Sequence, residues 1–535
     1  MAAHDLTFAT ALAQHQPVEQ QGRRWLFVPY DQLTDQLGPL SRHPPETLGI
    51  VLVECPAKAA RRPYHKQKLA LVLSNLRHFA LEQVRRGVAV RHVVSRGDYA
   101  EALRPQCAEL GTLTMMEAAE RELRVDLQPL VDEGALRIRP HEGWLTTVED
   151  FTGSVGSAPP WRMDAFYRAV RRRTGILMDA RGKPEGGRFS FDGDNRKVWP
   201  GDPPAPALPR FAPDTITREV GDLVEQQFAD HPGQLDLSML PATAADAETL
   251  WRWARESCMT HFGPYEDAMS RHERNLFHTR ISMLLNLHRL LPQRVIDDVH
   301  AMDVSLGSKE GFIRQILGWR EFVRHVHRAT DGFRHLLDGH HPKADPSHLG
   351  AAHPLPPAFW SGAPSGLACL DTVVESVWTE GYSHHITRLM VLSNLATLLD
   401  VSPRALTDWF WVAYTDAYDW VVEPNVLGMG TFAAGDVMTT KPYVSGAAYI
   451  NKMSDYCEGC RFHPKKTCPI TPLYWAFLAR HADQLADNMR LKLPLASCRK
   501  RSPEKRAEDA RIYRQVIDML SAGAELTPER LQPAR

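Results

Sequence analysis

The sequence has no apolar run of about 18 residues, the length that a membrane-spanning helix needs, so no membrane partner is expected. Its first 24 residues lack the apolar centre of a secretion signal, and a reducing, cytoplasmic location is therefore expected. The formal net charge over 535 residues is −1, which excludes a general basic field that attracts nucleic acid. Any contact with nucleic acid must use a local basic patch.

Cysteine is scarce but clustered. Of eight cysteines, Cys457, Cys460 and Cys468 fall within twelve positions. A second Cys-x-x-Cys or Cys/His pair, typical of zinc sites, is missing. One Cys-x-x-Cys, a third Cys before Pro and a remote fourth ligand favour an iron–sulfur cluster, with Cys369 and Cys498 as candidates for the remote position. The alternative is a set of free thiols with one oxidisable pair.

The first 150 residues alternate between short apolar runs and helical spacing. Strands are predicted at 25–29, 50–53, 88–94, 113–116 and 135–138, and a helix is predicted at 66–86. This alternation predicts an α/β domain with a parallel, Rossmann-like sheet. No Gly-x-Gly-x-x-Gly follows the first strand, so the sequence motif of a dinucleotide site is absent there.

The rest of the chain divides in two. Residues 151–240 are rich in Pro and Gly and are interpreted as a connector, and residues 241–535 as a large all-α domain. Helices are predicted at 276–291, 311–327, 383–399 and 403–418, the last with Ser402 as its N-cap. A helical domain of this size can bury a cofactor among its helices. The connector carries an Arg run at 171–173, which is a candidate phosphate contact.

Several ordered sequence blocks resemble one known family. They lie at 261–269 (HFGPYEDAM), 318–324 (GWREFVR), 384–390 (HHITRLM), 416–420 (DAYDW), 423–425 (EPN), 441–443 (KPY) and 449–457 (YINKMSDYC). The sequence resembles the photolyase and cryptochrome superfamily, specifically its iron–sulfur bacterial branch, which includes prokaryotic 6-4 photolyases. The resemblance covers about residues 25–490 and implies FAD in the helical domain. The implied FAD-binding residues are Tyr265, His278, Thr279, Arg280, Ile281, Ser282, Asp416, Asp419 and Asn425.

The paired histidines carry the sharpest functional prediction. His384 and His385 match the active-site histidines of 6-4 photolyases, one of which is expected to give a proton to the lesion. The sequence does not decide which one, although His384 is favoured. Tyr443 and Arg196 match positions beside the lesion pocket. Arg320 and Arg324 are candidate DNA contacts together with the 171–173 run.

The resemblance also implies three accessory features. The cluster becomes [4Fe-4S], held by Cys369, Cys457, Cys460 and Cys468. Trp409 matches the central position of an electron relay, with Trp360 as a plausible inner member, while Phe410 stands where relatives often carry Tyr. A 6,7-dimethyl-8-ribityllumazine antenna is typical of the branch near Asp31-Gln32-Leu33. Here Pro29-Tyr30 and Lys58 depart from the pattern, which leaves open whether the lumazine is held differently, replaced or absent.

The implied function is light-driven repair of UV-damaged DNA by a monomeric lyase, in which reduced FAD passes an electron to a flipped 6-4 photoproduct. Two alternatives stay open. One is a cryptochrome-type photoreceptor with the same cofactors and no repair. The other is an iron–sulfur DNA-binding module without flavin, akin to the large subunit of primases.

Overall fold

A computed structural model describes residues 6–19, 21–360 and 362–532. Within these ranges no helix combines the length and the apolar character that crossing a membrane requires. The first part of the chain is a five-stranded parallel sheet in the order β3-β2-β1-β4-β5, which confirms the predicted strands. The strands are β1 Arg24–Phe27, β2 Leu48–Glu54, β3 Ala89–Val94, β4 Leu113–Met116 and β5 Leu136–Arg139.

Helices surround this sheet: α1 Phe8–His15, α2 Gly38–Arg42, α3 Pro56–Ala60, α4 Lys66–Arg85, α5 Tyr99–Leu110 and α6 Arg121–Asp132. Strand β2 is buried at all seven positions, as the continuous apolar run of a central strand requires. The strand order reverses between β1 and β4, because β2 and β3 lie on one side of β1 while β4 and β5 lie on the other. In open parallel sheets, the carboxyl ends of the strands at such a reversal form a ligand crevice.

The segment 151–240 is more structured than a connector. It includes the end of α7 Val148–Val155 and the helices α8 Met163–Thr174 and α9 Thr215–Gln227. Arg171 on α8 is fully buried and donates hydrogen bonds to the carbonyls of Ile176, Leu177 and Phe189. The interpretation of the 171–173 run as a DNA contact is therefore wrong for Arg171.

The remaining chain is largely helical. Its helices are α10 Ala244–Trp253, α11 Met259–Phe262, α12 Ser282–Asn286, α13 Pro292–Ala301, α14 Leu306–Ile313, α15 Glu321–Ala329, α16 Ala368–Glu380, α17 His385–Thr387, α18 Asn394–Leu398, α19 Pro403–Ala413, α20 Asp419–Glu423, α21 Ala447–Met453, α22 Ile470–Arg480, α23 Lys492–Arg499 and α24 Pro503–Ser521. A two-stranded ribbon joins β6 His335–Leu336 to β7 Gly339–His340. The predicted fold class, an α/β domain followed by a helical domain, is confirmed.

Four π-helical segments continue these helices: Ala254–Cys258, Arg314–Arg320, Arg388–Ser393 and Pro424–Gly430. The helices predicted at 311–327 and 383–399 are confirmed when these wider turns are counted. The helix predicted at 403–418 begins as expected, with the Ser402 side chain accepting a hydrogen bond from the amide of Ala405, but it ends at Ala413.

The helix predicted at 276–291 is wrong over most of its length. Only Ser282–Asn286 is helical, while Leu276, Arg280 and His288 have φ values of 44°, 54° and 57°. A positive φ in a residue other than glycine costs energy and persists only where surrounding contacts hold it. The segment 276–282 is therefore a loop whose backbone is fixed by its neighbours, and we call it the strained loop.

Candidate active site and cofactor sites

Three histidines meet at the N-terminal end of α17. His384 is the last residue before the helix and His385 is the first residue in it, while His278 comes from the strained loop. The His278 and His384 rings stack with centroids 4.2 Å apart and planes 10° from parallel, and the His385 ring lies 5.5 Å from His278. The sequence paired His384 with His385, but the closer partner of His384 is His278. We call this trio the histidine pocket.

Burial separates the roles of these rings. His278 and His384 are buried, and burial together with nearby positive groups holds the pKa of each well below its ordinary value, so both are neutral at pH 7. In the described part of the chain, His278 Nε2 and His384 Nδ1 have no hydrogen-bond partner. Two unpartnered nitrogens in one buried place indicate that the pocket is built to contact a polar ligand.

The trio is a poor metal site despite its spacing. One ring nitrogen from each histidine lies within 4.8 Å of the other two. However, the lone pairs of imidazole lie in the ring plane, and the rings of His278 and His384 are nearly parallel. Their nitrogens therefore point side by side rather than to one ion. Hydrogen bonding and proton transfer are the chemistry that this arrangement supports.

His385 lies at the exposed rim of the pocket. Its side chain is 44% exposed, and its Nε2 is 4.0 Å from Oδ1 of Asp267. Burial raises the pKa of Asp267, and the charges of His385 and Arg196 oppose that rise. Arg196 Nε is 3.6 Å from the other carboxylate oxygen of Asp267, and Arg196 also pairs with Asp192. The structure thus brings Arg196, predicted from the sequence, to the same rim as His385.

A group of cations extends this rim. The positive charges of Arg490 and Arg196 lie close enough to Lys441 and Tyr443 to affect the pKa of both residues. Burial and these like charges lower the pKa of Lys441. Neither Lys441 nor Arg490 has a carboxylate partner within the ranges that the structure describes. Sequence reasoning missed Arg490, because 46 intervening residues separate it from the Lys441–Tyr443 block.

The strained loop joins the histidine pocket to a second cluster. The hydroxyl of Ser282 donates a 2.7 Å hydrogen bond to Asp416, whose two carboxylate oxygens each accept a 3.0 Å hydrogen bond from Arg388. Arg388 and Ser282 both lower the pKa of Asp416, although its burial raises it. Two predicted flavin-binding residues, Ser282 and Asp416, are therefore in direct contact.

A small cleft opens beside the strained loop. Its lining includes Arg280, Met283, Glu380 and Thr415. Arg280 donates a 2.6 Å hydrogen bond to Glu380, and its guanidinium lies 4.2 Å from the centre of the Tyr382 ring. These contacts hold Arg280 in its positive-φ conformation.

The other predicted flavin-binding residues divide into two groups. Thr279 and Ile281 are buried in the strained loop, and Tyr265 stacks on Phe277 at its start. Asp419 and Asn425 bond to other parts of the chain. Asp419 accepts a hydrogen bond from the amide of Glu122, and Asn425 donates one to the carbonyl of Val421. In the described ranges no hydrogen bond links either of them to Asp416.

Four cysteines converge in the helical part. Cys369 lies in the first turn of α16, while Cys457, Cys460 and Cys468 lie between α21 and α22. Burial and the other three thiols raise the pKa of Cys369. Cys498 instead faces the carbonyl of Trp475, so the structure favours Cys369 as the remote member of the set.

The spacing of these thiols is wide. Four sulfurs on one zinc ion lie roughly 3.8 Å apart, given Zn–S bonds of about 2.3 Å. Within the described residues, no three of the thiols lie within 4.8 Å of one another. This spacing is wider than the sulfur positions around one tetrahedral zinc ion.

The carboxyl edge of the sheet carries two features near the Asp-Gln-Leu motif. The ammonium of Lys58 is buried and lies 2.7 Å from Glu120, which also accepts a hydrogen bond from the Tyr30 hydroxyl. Burial raises the pKa of Asp31 to about 7. Beside them, a small cleft is lined by residues of β1 and β4 and by Gln32.

Other predicted residues lie where the sequence did not place them. The side chains of Arg320 and Arg324 are only 9% and 13% exposed, and both guanidiniums lie over the Trp144 ring, at 4.0 and 4.5 Å. The prediction that they contact DNA is wrong, because the aromatic ring and the carboxylate of Glu321 hold them inside. Trp360, predicted as an inner relay residue, is 40% exposed at the surface, whereas Trp409 is fully buried.

Comparison with known proteins gives a consistent result. A model of the deoxyribodipyrimidine photo-lyase-related protein family matches residues 26–239. A (6-4) photolyase from Agrobacterium fabrum (strain C58 / ATCC 33970) is 34% identical over 494 residues, which cover 89% of this chain and 95% of the relative.

Two solved structures share the fold. A bacterial class III photolyase from Agrobacterium tumefaciens superposes with a TM-score of 0.54 at 16% identity, covering 94% of this chain and 99% of that one. A cryptochrome from Synechocystis sp. PCC6803 superposes with a TM-score of 0.50 at 15% identity, covering 76% and 82%.

Proposed function

The chain belongs to the photolyase and cryptochrome family, and from this premise we propose that it repairs 6-4 pyrimidine photoproducts in DNA with light. The family's cofactor is a flavin, and FAD is the form proposed here. When bound and reduced, the flavin supplies one electron to the lesion on absorbing blue light. The proposed units are an α/β domain at 1–150, a connector at 151–240 and a helical cofactor domain at 241–535.

The observation that carries the proposal is the histidine pocket. A 6-4 lesion must receive a proton as its bonds rearrange, so the site needs one group that carries a proton and others that hold the base. His385 is the group we assign to the proton, because its Nε2 faces the Asp267 carboxylate at the exposed rim. The neutral, buried rings of His278 and His384 offer unpartnered nitrogens to the flipped base. The sequence favoured His384 as the donor, and its burial supports a positioning role instead.

Flavin binding is assigned to the strained loop and the Asp416 cluster. Backbone amides and hydroxyls at 279–282 suit a phosphate group, and Arg280 at the cleft adds a positive charge. Strained backbone, a buried charge pair and an adjacent cleft together fit a bound anionic cofactor. Tyr265, His278 and Ile281 belong to the same proposed site. Asp419 and Asn425 remain flavin-binding proposals that rest on the family resemblance alone.

The cysteine set is proposed to hold a [4Fe-4S] cluster. Its four ligands are Cys369, Cys457, Cys460 and Cys468. The wide spacing of the thiols supports this group over zinc. Since Cys369 is 88 residues before Cys457 in the chain, the cluster would tie α16 to the loop after α21 and so stabilise the helical domain.

DNA is proposed to bind at the rim formed by Arg196, Lys441, Tyr443 and Arg490. Within the described ranges Lys441 and Arg490 have no carboxylate partner, so their charges are free to neutralise phosphates, whereas Arg196 already pairs with Asp192 and Asp267. These two cations supply the local positive charge that the net charge of −1 lacks. Tyr443 lies among these cations, where its ring can contact the flipped base.

An antenna of the 6,7-dimethyl-8-ribityllumazine type is proposed to bind in the cleft between β1 and β4. The cleft lies where the strand order reverses, and Gln32 of the Asp-Gln-Leu motif is part of its wall. Lys58 does not obstruct this cleft, because its ammonium is paired with Glu120. Release of the chromophores from purified protein, followed by mass spectrometry, tests this assignment.

The test of function is repair of an oligonucleotide that holds one 6-4 photoproduct. Wild-type protein, chemically reduced and lit with blue light, should restore the two pyrimidines. His385→Ala should lower the repair yield at least a hundredfold without changing the flavin content. His300→Ala, at an exposed position on α13, is the matched control. His384→Ala should weaken lesion binding more than it slows chemistry under single-turnover conditions.

Two outcomes contradict these assignments. Repair by His385→Ala at the wild-type rate would remove His385 from the proton step. No repair by reduced, flavin-loaded wild-type protein would exclude the photolyase and leave the photoreceptor as the function.

A further inference from the structure

The chain after its last helix returns to the segments that carry the four cysteines. Helix α24 ends at Ser521, and Gly523, with a φ of 70°, turns the chain in the left-handed conformation that closes many helices. We call residues 523–532 the tail. Its two leucines, Leu526 and Leu531, are both buried. A segment that buries its apolar side chains in this way is docked on the protein rather than left in solvent.

The tail meets the segment before Cys369. The amide of Leu526 donates a 2.9 Å hydrogen bond to the carbonyl of Ser365. Ser365 and Gly366 donate three hydrogen bonds to the carboxylate of Asp371, which fixes their segment to the first turn of α16. Cys369 lies in that same turn. The tail is thus bonded directly to the segment that carries the remote cysteine.

This contact is close enough to require a glycine. Gly366 has a φ of 83°, and a Cβ atom placed on it would lie 2.2 Å from the carbonyl oxygen of Leu526. No residue with a side chain fits there unless the tail moves away. A methyl group at position 366 should therefore displace the tail although no atom of the tail has been changed.

A second contact joins the tail to the other cysteine segment. Oε1 of Glu525 lies 2.9 Å from the guanidinium of Arg461, the residue directly after Cys460. The two side chains are 38% and 46% exposed, so this ion pair adds little to the overall free energy of unfolding. Its effect is local. Two consecutive tail residues, Glu525 and Leu526, bind the two segments that carry Cys460 and Cys369.

We propose that the tail is a strap that holds these two segments together and so slows the escape of iron from the cysteine set. The proposal rests on the proposed function, because it requires the cluster assigned to the four cysteines. Iron escapes when the protein around its ligands opens, and the free energy of such a local opening depends on the few contacts that close it. Glu525 and Leu526 are therefore positioning residues, which act on the cysteines through Arg461 and Ser365.

The first measurement needs no cluster. In reduced, iron-free protein, iodoacetamide should alkylate Cys369 slowly, because this thiol is buried until the segments separate. Leu526→Ala should speed that alkylation roughly tenfold or more, and Gly366→Ala should do the same from the other side of the contact. Cys258, which is fully buried in a different helical segment, is the internal reference and should keep its wild-type rate. Mass spectrometry of the peptides gives both rates.

The second measurement follows the cluster itself. In the presence of a ferrous-iron chelator, the decay of its visible absorption reports the escape of iron. Glu525→Gln should speed this decay about two- to fivefold, whereas Asp518→Asn, at an exposed carboxylate on α24, should not. Glu525→Asp, which keeps the charge, should recover part of the wild-type rate. Glu525→Arg combined with Arg461→Glu should lose iron more slowly than either single variant.

Thermal unfolding separates a local effect from a general one. Each variant must be folded at the assay temperature, and Glu525→Gln should keep the wild-type melting temperature because its ion pair is half-exposed. Faster alkylation and faster loss of iron at an unchanged melting temperature support the strap. Alkylation of Cys369 at the wild-type rate in both Leu526→Ala and Gly366→Ala would overturn it.

The two measurements also separate the strap from the cluster. Wild-type protein purified without iron or visible absorption would overturn the assigned cluster and, with it, the role of the tail in retaining iron. A cluster that decays at the same rate in wild type and in Glu525→Gln would leave the cluster assignment intact and would count against the strap.

Discussion

Replacement of Asp416 by Asn tests the cluster that we assign to the flavin. The change keeps the size of the side chain but removes the charge that pairs with Arg388. Arg388 would then lose two hydrogen bonds of 3.0 Å to a carboxylate while remaining in place. It would be retained there by the carbonyl of Ser383, at 2.7 Å, and by the ring of Tyr414.

The burial of the two partners sets how much free energy of unfolding Asp416→Asn should remove. Removing one partner of a buried ion pair costs about 3–5 kcal/mol, because the other charge is left without compensation. Asp416 is 8% exposed but Arg388 is 21% exposed, which places the expected loss near the lower bound, about 3 kcal/mol. This loss corresponds to roughly a 150-fold fall in the ratio of folded to unfolded protein.

The assay is urea unfolding followed by helical circular dichroism and by release of flavin fluorescence. Asp408→Asn is the matched control, since this carboxylate on α19 also pairs with an arginine, Arg404, but is 52% exposed. Exposed pairs contribute about 0–1 kcal/mol. Asp416→Asn should also purify with less flavin, whereas Asp408→Asn should not.

The pH dependence gives a second criterion. Arg388 holds the pKa of Asp416 below its ordinary value in the folded protein. The ionised Asp416 side chain therefore stabilises the fold above about pH 4, and this stabilisation is lost as the pH falls through the pKa that Asp416 has in the folded protein. The difference between variant and wild type should be constant from pH 8 to pH 5 and narrow below pH 4. A loss under 1 kcal/mol at pH 7 would refute the assignment of a buried pair.

Three further outcomes are expected. Cys369→Ser should remove the visible absorption of the cluster and lower the melting temperature, while Cys498→Ser should leave the absorption unchanged; equal loss in both would contradict the ligand set. Arg490→Ala should weaken DNA binding and reduce the slope of log affinity against log salt by about 0.9 in anisotropy titrations, and an unchanged slope would exclude a phosphate contact. Burial lowers the pKa of His65 to about 4 and of His288 to about 3, so below pH 6.5 the unfolded chain binds protons that the folded chain does not. These two histidines alone should therefore lower the free energy of unfolding by about 3 kcal/mol between pH 7.5 and 5.5, the other buried histidines add to that fall, and a constant free energy of unfolding would contradict it.

The sheet was predictable because its signal is local. Apolar runs such as 50–53, bounded by turn residues and separated by a helical period, specify buried parallel strands, and β1 to β5 confirm them. The strained loop was not predictable in this way. Its apolar spacing indicated a helix, but contacts to distant residues, Arg280 with Glu380 and Ser282 with Asp416, hold the backbone in another conformation.

The charge of an arginine was the weakest guide to whether its side chain lies at the surface. Arg320 and Arg324 looked like surface cations, yet both lie over Trp144 inside the protein. A guanidinium can be buried when an aromatic face and a carboxylate accept it, and neither partner is evident from neighbouring sequence. Arg490 shows the converse, because it reaches the rim from a segment that matched no family block. The hydrogen bonds of Asp419 and Asn425, with the amide of Glu122 and the carbonyl of Val421, do not test their predicted place in the flavin site, which stays a prediction from the shared motif.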